Sequence, residues 1–313
     1  MLLEERDQLR QFAWQLLAFM LPLGLLWGGA NWLADRTLES QYERKYAEAR
    51  QPEVNAQRVI LGTSKAVRAI NPAGLDSAEI TTYNFAFNGS HPSFYLPWYR
   101  LLFRPHYPRP DTILYAVDWF MFDELRLRRQ FEQDSEFFPA DTFWRALFDP
   151  TLNAETTLLN RFPLIKDKDA LFLKLFPIAL SEYDFDRMAG YVRGYVPRQG
   201  ITQLPSLDVP LQNSPAQETA FATLLDLMAE DGSQVIFIHI PEHLTEITPD
   251  PAAVEHLHQI AQARGIPILD YNRELADSFN TTDAYFLDVF HMSEEGSAVF
   301  TARLRQDLAR LQP

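Results

Sequence analysis

The chain has 313 residues, 47% of them hydrophobic, with a formal net charge of -14 and no cysteine. That length and apolar content support a sizeable core in one large domain or two small ones. The acidic balance, with no long basic run, argues against nucleic acid as a partner. The absence of cysteine excludes disulfides, thiolate metal sites and thiol nucleophiles.

The first element is "FAWQLLAFMLPLGLLWGGANWL", from Phe12 to Leu33. It is an uncharged run of roughly 22 residues, about what a helix needs to cross a hydrocarbon core. Gln15, Pro22 and Asn31 interrupt it, while Trp14, Trp27 and Trp32 suit membrane interfaces. A buried or amphipathic helix is one alternative, and a signal peptide cleaved near Gly28 and Ala30 is another. The acidic start "MLLEERDQLR" favours an uncleaved anchor. Arg6 and Arg10 precede the run, whereas Arg36, Arg44, Lys45 and Arg50 follow it; by charge alone the main domain is cytoplasmic. The polar, helix-prone stretch that follows reads as a stalk, giving an anchor and stalk over 1–57 and a main domain over 58–313.

Short apolar runs then recur: "RVILG" (58–62), "TTYNFAF" (81–87), "TILYAVDWF" (112–120), "SQVIFIHI" (233–240) and "IPILDY" (266–271). Near-continuous apolar strands separated by helical patterns predict a mainly parallel sheet covered on both faces. Helices are expected at Ala216 to Ala229, Pro251 to Arg264 and Ser293 to Leu311, the last opened by Ser293 with Glu294 and Glu295 in its first turn. The fold class is α/β, a three-layer α/β/α sandwich with five strands. Aromatic pieces such as "FFPADTFWRALF" and "KDALFLKLFPIAL" break the rhythm and mark a helical insertion over about 122–213. It is either a lid over the carboxyl ends of the strands or an ordinary subdomain.

The first strand ends in "GTSK", at the sheet edge where open α/β folds place ligands. Gly62 stands alone and Ser64 precedes Lys65, so the spacing is wrong for a phosphate loop. With Ala66 two residues after Ser64, there is no G-x-S-x-G elbow either. Ser64 is then a helix cap or a nucleophile, and a nucleophile needs a base. Among the histidines, His291 is distinguished by "FLDVFHMSEEG", which sets Asp288 three residues before it in the loop opening the final helix. A carboxylate on one imidazole nitrogen fixes the tautomer and stabilises the imidazolium formed during proton transfer. Lys65 has no role in this reading. No cofactor and no metal are expected, since Asp288 and His291 have no third ligand at helpful spacing.

"ILGTS", "NFAFNGSHP", "ILYAVDWFMFD" and "DVFHMSEEG" occur in the order of the sequence blocks of the SGNH/GDSL hydrolase superfamily, which the chain resembles over most of 58–311. Within it, the chain is most similar to membrane-linked, extracytoplasmic members such as relatives of bacterial polysaccharide O-acetylation proteins and of the teichoic-acid D-alanylation protein. The resemblance implies a flavodoxin-like SGNH fold, with Ser64 as nucleophile, His291 as base, Asp288 as its partner, and the backbone N–H groups of Ser64 and Gly89 as oxyanion donors. Asn88 and Ser90 flank Gly89. It implies a membrane-anchored esterase or O-acyltransferase, extracytoplasmic, with a surface glycan or acyl donor as substrate and a membrane-bound acyltransferase as partner. One block departs: Ala116-Val117-Asp118 stands where Gly-x-Asn is usual. An ionised Asp118 facing an oxyanion would repel it, so three readings stay open. Asp118 binds a sugar hydroxyl, or Asn88 supplies the missing donor, or catalysis is lost and the chain is a glycan- or partner-binding module. A nucleotide-binding domain of the same fold lacks its glycine fingerprint.

Overall fold

The computed structural model describes residues 2–37, 41–123, 191–197, 211, 213–244, 248–276 and 278–311. The chain divides into two compact units, and the described part of the first is helix α1 (Leu2–Thr37). Within α1 the span Arg10–Gly29 is long and apolar enough to cross a membrane. All other described residues belong to the second unit.

The second unit is built on a five-stranded sheet of β1 (Arg58–Leu61), β2 (Thr82–Asn84), β3 (Thr112–Val117), β4 (Gln234–His239) and β5 (Ile268–Asp270). All pairings are parallel, in the order β2-β1-β3-β4-β5. Alternate residues of each strand feed opposite faces. Val59, Leu61, Ile113, Tyr115, Val117, Val235 and Phe237 enter one core, and Ile60, Leu114, Ala116, Ile236 and Ile238 the other. Two buried faces explain why the strands read as unbroken apolar runs.

Helix α2 (Gln41–Arg50) precedes the sheet, α3 (Ser64–Ala69) follows β1 and α4 (Pro92–Trp98) follows β2. Helix α5 (Pro215–Glu230) precedes β4, α6 (Pro251–Arg264) lies between β4 and β5, and α7 (Glu294–Leu311) follows β5. Phe94, Tyr95, Trp98, Phe221, Leu224, Leu257 and Ala261 place α4, α5 and α6 on the first face. Ala66, Val67, Phe300, Leu304 and Leu308 place α3 and α7 on the second.

Two sequence expectations need correction. The stretch read as a stalk is part of the folded unit: Lys45 and Ala49 of α2 are fully buried, and the Lys45 ammonium donates to the Ala86 carbonyl. Its helix-prone polar residues hid an inward face of only a few side chains. The runs over 81–87 and 112–120 also yield shorter strands, because Phe85, Phe87, Trp119 and Phe120 stay buried after leaving the sheet. The helical insertion, with its lid reading, lies mostly outside the described residues. Its two ends meet: Asp123 and Asn213 form an antiparallel bridge, and the Ser214 N–H donates to Phe122 O at 2.7 Å.

Candidate active site

Strand order fixes where a site can form. The chain passes from β1 out to β2 and then returns to the other side of β1 for β3, so a crevice opens beyond the carboxyl ends of β1 and β3. Gly62 makes the exit from β1 with φ 140°, and a Cβ there would stand 2.6 Å from the Ala116 Cβ of β3. No other residue fits both constraints. The Gly62 carbonyl accepts from the Phe87 N–H, the Ser90 hydroxyl at 2.7 Å and the Tyr95 hydroxyl at 2.6 Å. These bonds bring the turn carrying Asn88 and Gly89 alongside the β1 exit; Gly89 takes φ 66° there.

Thr63 caps α3, and Ser64 is the first residue of that helix, partly exposed at the sheet edge. Its hydroxyl lies 2.8 Å from His291 Nε2, although the two are 227 residues apart in sequence. His291 Nδ1 lies 3.0 and 2.9 Å from the two Asp288 oxygens. With its Nδ1 proton donated to Asp288, the ring leaves Nε2 to accept from the Ser64 hydroxyl. Asp288 Oδ1 also accepts the Phe290 and His291 backbone N–H groups, each at 2.9 Å. Burial alone would raise this carboxyl, but the hydrogen bond from His291, its charge and the two N–H groups together hold it below the usual aspartate value.

The loop that carries Asp288 and His291 is closed on itself and braced from both sides. Leu287 N–H donates to His291 O at 2.8 Å, and His243 N–H donates to Val289 O at 3.0 Å. On the other side, a Cβ on Gly296 of α7 would stand 2.1 Å from Tyr285 O, so only glycine lets the helix approach the loop this closely. Helix α7 then grips α3: Ser297 and Thr301 hydroxyls both donate to Ala69 O, at 3.1 and 3.2 Å. The helix that begins at Ser64 is therefore tied at its far end to the helix that follows His291.

Asp118 does not face the crevice as an isolated charge. Its Oδ2 accepts the Thr63 hydroxyl at 2.7 Å, and its Oδ1 lies 2.9 Å from Lys65 Nζ. Lys65 Nζ also pairs with Glu242 at 2.5 Å, and both Glu242 oxygens lie within 3.2 Å of Trp119 Nε1. The lysine, which had no role in the sequence reading, is thus the centre of a buried ion cluster and is only 2% exposed. Phe120 and Phe290 place their rings 5.8 and 5.9 Å from its ammonium. Burial alone would depress Lys65, but Asp118 and then Glu242 more than offset it and carry the group above the ordinary lysine value. Lys65, Glu242 and Trp119 are the residues that sequence reasoning missed. The one signal was position: each follows a strand at its carboxyl end.

A second polar group lies at the ends of β4 and β5. Asp270 bridges His239 Nδ1 at 3.0 Å and His258 Nε2 at 2.8 Å. Burial pushes the Asp270 carboxyl up, but the hydrogen bond and charge of His239, then those of His258, bring it down to about 2. The three border a cleft of about 480 Å³ whose lining includes none of Ser64, Asp288 and His291.

No protein-family profile matches the chain, and no curated protein is significantly similar to it. Several solved structures are similar at low identity, two lipases among them. One is a GDSL-like lipase from Bacteroides thetaiotaomicron, 11% identical, covering 86% of this chain and 98% of its own, with a TM-score of 0.44. The other is a lipase/acylhydrolase from Enterococcus faecalis, 12% identical, covering 80% of this chain and 94% of its own, with a TM-score of 0.38.

Proposed function

We propose that the chain is a serine esterase or O-acyltransferase of the SGNH/GDSL type, anchored in the membrane by α1 and acting on acyl esters of a cell-surface polysaccharide from the extracytoplasmic side. The observation that carries this reading is the continuous relay Ser64–His291–Asp288, assembled at the crevice from the two ends of the main domain.

The chemistry follows from the relay. His291 Nε2 takes the Ser64 proton as Oγ attacks the acyl carbon, and Asp288 stabilises the imidazolium. The carbonyl oxygen becomes an oxyanion, met by the N–H groups of Ser64 and Gly89. Collapse breaks the bond to the leaving alkoxide, which takes the proton from His291, and the acyl group stays on Ser64. Water or a sugar hydroxyl then attacks that ester with His291 again as base, regenerating the serine. In such a protein a membrane-bound acyltransferase partner supplies the activated acyl group.

The pairing of Asp118 with Lys65 supports this reading over a non-catalytic glycan- or partner-binding module. A carboxylate that pairs with an ammonium and accepts a hydroxyl repels an oxyanion less than a bare one. Acetyl-ester turnover and fluorophosphonate labelling of the full chain test the proposal. Wild type is expected to carry one adduct on Ser64, and Ser64→Ala none. Labelling that persists in Ser64→Ala removes this serine from the mechanism, and no labelling of either protein favours the binding module.

A further inference from the structure

The two oxygens of Asp118 bond to the side chains on either side of Ser64 in the sequence: Thr63 through its hydroxyl and Lys65 through its ammonium. A single carboxylate at the end of β3 therefore holds both neighbours of the nucleophile, while Ser64 itself bonds to His291. Asp118 is buried, at 2% exposure, and is not offered to solvent. The clamp is itself anchored. Lys65 is held on its second side by Glu242, Trp119 steadies Glu242, and the Glu242 N–H donates to Asn272 Oδ1 at 2.8 Å. Three strand ends, those of β1, β3 and β4, are locked around one turn.

We infer that Asp118 is a positioning residue that sets the Ser64 hydroxyl in line with His291 through Thr63 and Lys65, and that it does not contact the acyl group. The inference rests on the esterase reading. A short turn between a strand and a six-residue helix has few bonds of its own to fix the direction of its first side chain. Misplacement of a reacting atom by about 1 Å costs on the order of 100-fold in rate, so the clamp acts on the rate of attack and leaves substrate binding alone.

Charge balance makes the test clean. Asp118→Ala takes the cluster from one net negative charge to neutral, with Lys65 paired one-to-one with Glu242, so the variant is expected to fold. Thr63→Val keeps the shape of the side chain and removes the hydroxyl, and Thr63→Ser restores it. Kinetics on an acetyl ester and the rate of fluorophosphonate labelling of Ser64 are measured in the full chain. Asp118→Ala and Thr63→Val are each expected to lower kcat and the labelling rate by roughly 10- to 100-fold, with KM within about threefold of wild type. The double variant is expected to be no slower than the slower single, because both remove the Thr63–Asp118 bond, and Thr63→Ser is expected to stay close to wild type. A single substitution without effect, or losses that multiply in the double variant, overturns the clamp while leaving the esterase intact. A wild-type protein that neither hydrolyses nor labels overturns the esterase reading and the positioning role with it.

Discussion

Lys65 balances two carboxylates with one ammonium in a place that water does not reach. Removing the ammonium leaves both anions without compensation, which is the costly way to break a buried ion cluster. Lys65→Met is expected to lower unfolding free energy by about 3–5 kcal/mol in urea titration, and adding Glu242→Gln to that variant should recover part of the loss. No recovery would mean that packing, and not charge, sets the cost. Ser64, Asp288 and His291 were legible in the sequence because each stands at a strand exit or beside its partner in the chain. Lys65 was not, since its meaning depends on which strands become neighbours. The carboxylates also set an acid limit. Asp270, held at about 2 against an ordinary 3.8, and Asp288, also depressed, bind protons more readily when the chain unfolds. Their contribution is complete above pH about 4 and is lost as pH falls toward 2. The melting temperature should fall through that window, and Asp270→Asn should flatten its slope; an unchanged slope would assign the loss to other carboxylates.

At the scale of elements, the longer strands were readable because two buried faces leave few polar residues inside them. Helices α5, α6 and α7 begin and end within about two residues of their expected bounds, as capping and periodicity allow. Helix α2 was misjudged because two of its buried positions, Lys45 and Glu48, are polar by type. The tightest junction is Gly62, where β1 exits against β3. Gly62→Ala combines a strained backbone with a methyl group placed 2.6 Å from Ala116 Cβ. A loss of about 2–5 kcal/mol is expected, with Ser64 labelling slowed in the fraction that still folds. Calorimetry together with labelling separates the two effects, and a variant with wild-type melting would show that the junction relaxes without cost.

At the scale of the molecule, the apolar helix of the first unit leaves Trp14 73% and Leu26 71% exposed. Such a surface is satisfied by lipid. The full chain is expected to float with liposomes in a sucrose gradient, whereas a chain starting at Ser40 should remain at the bottom. Mass analysis of the N-terminus of the cell-derived protein distinguishes an anchor from a cleaved leader: an intact Met1 or Leu2 start supports the anchor, and a start near Asn31 removes it.

The grip of α7 on Ala69 has a consequence for biosynthesis. Ser64 leaves the ribosome early, but the imidazole that meets it arrives 227 residues later and is braced by a helix made after it. Contacts so distant in sequence form late, after the intervening chain has been closed into a loop. A nascent chain stalled before Glu294 carries the serine without a held imidazole and should be inert toward fluorophosphonates. Synthesis itself would then act as the timer, keeping Ser64 silent until α7 docks.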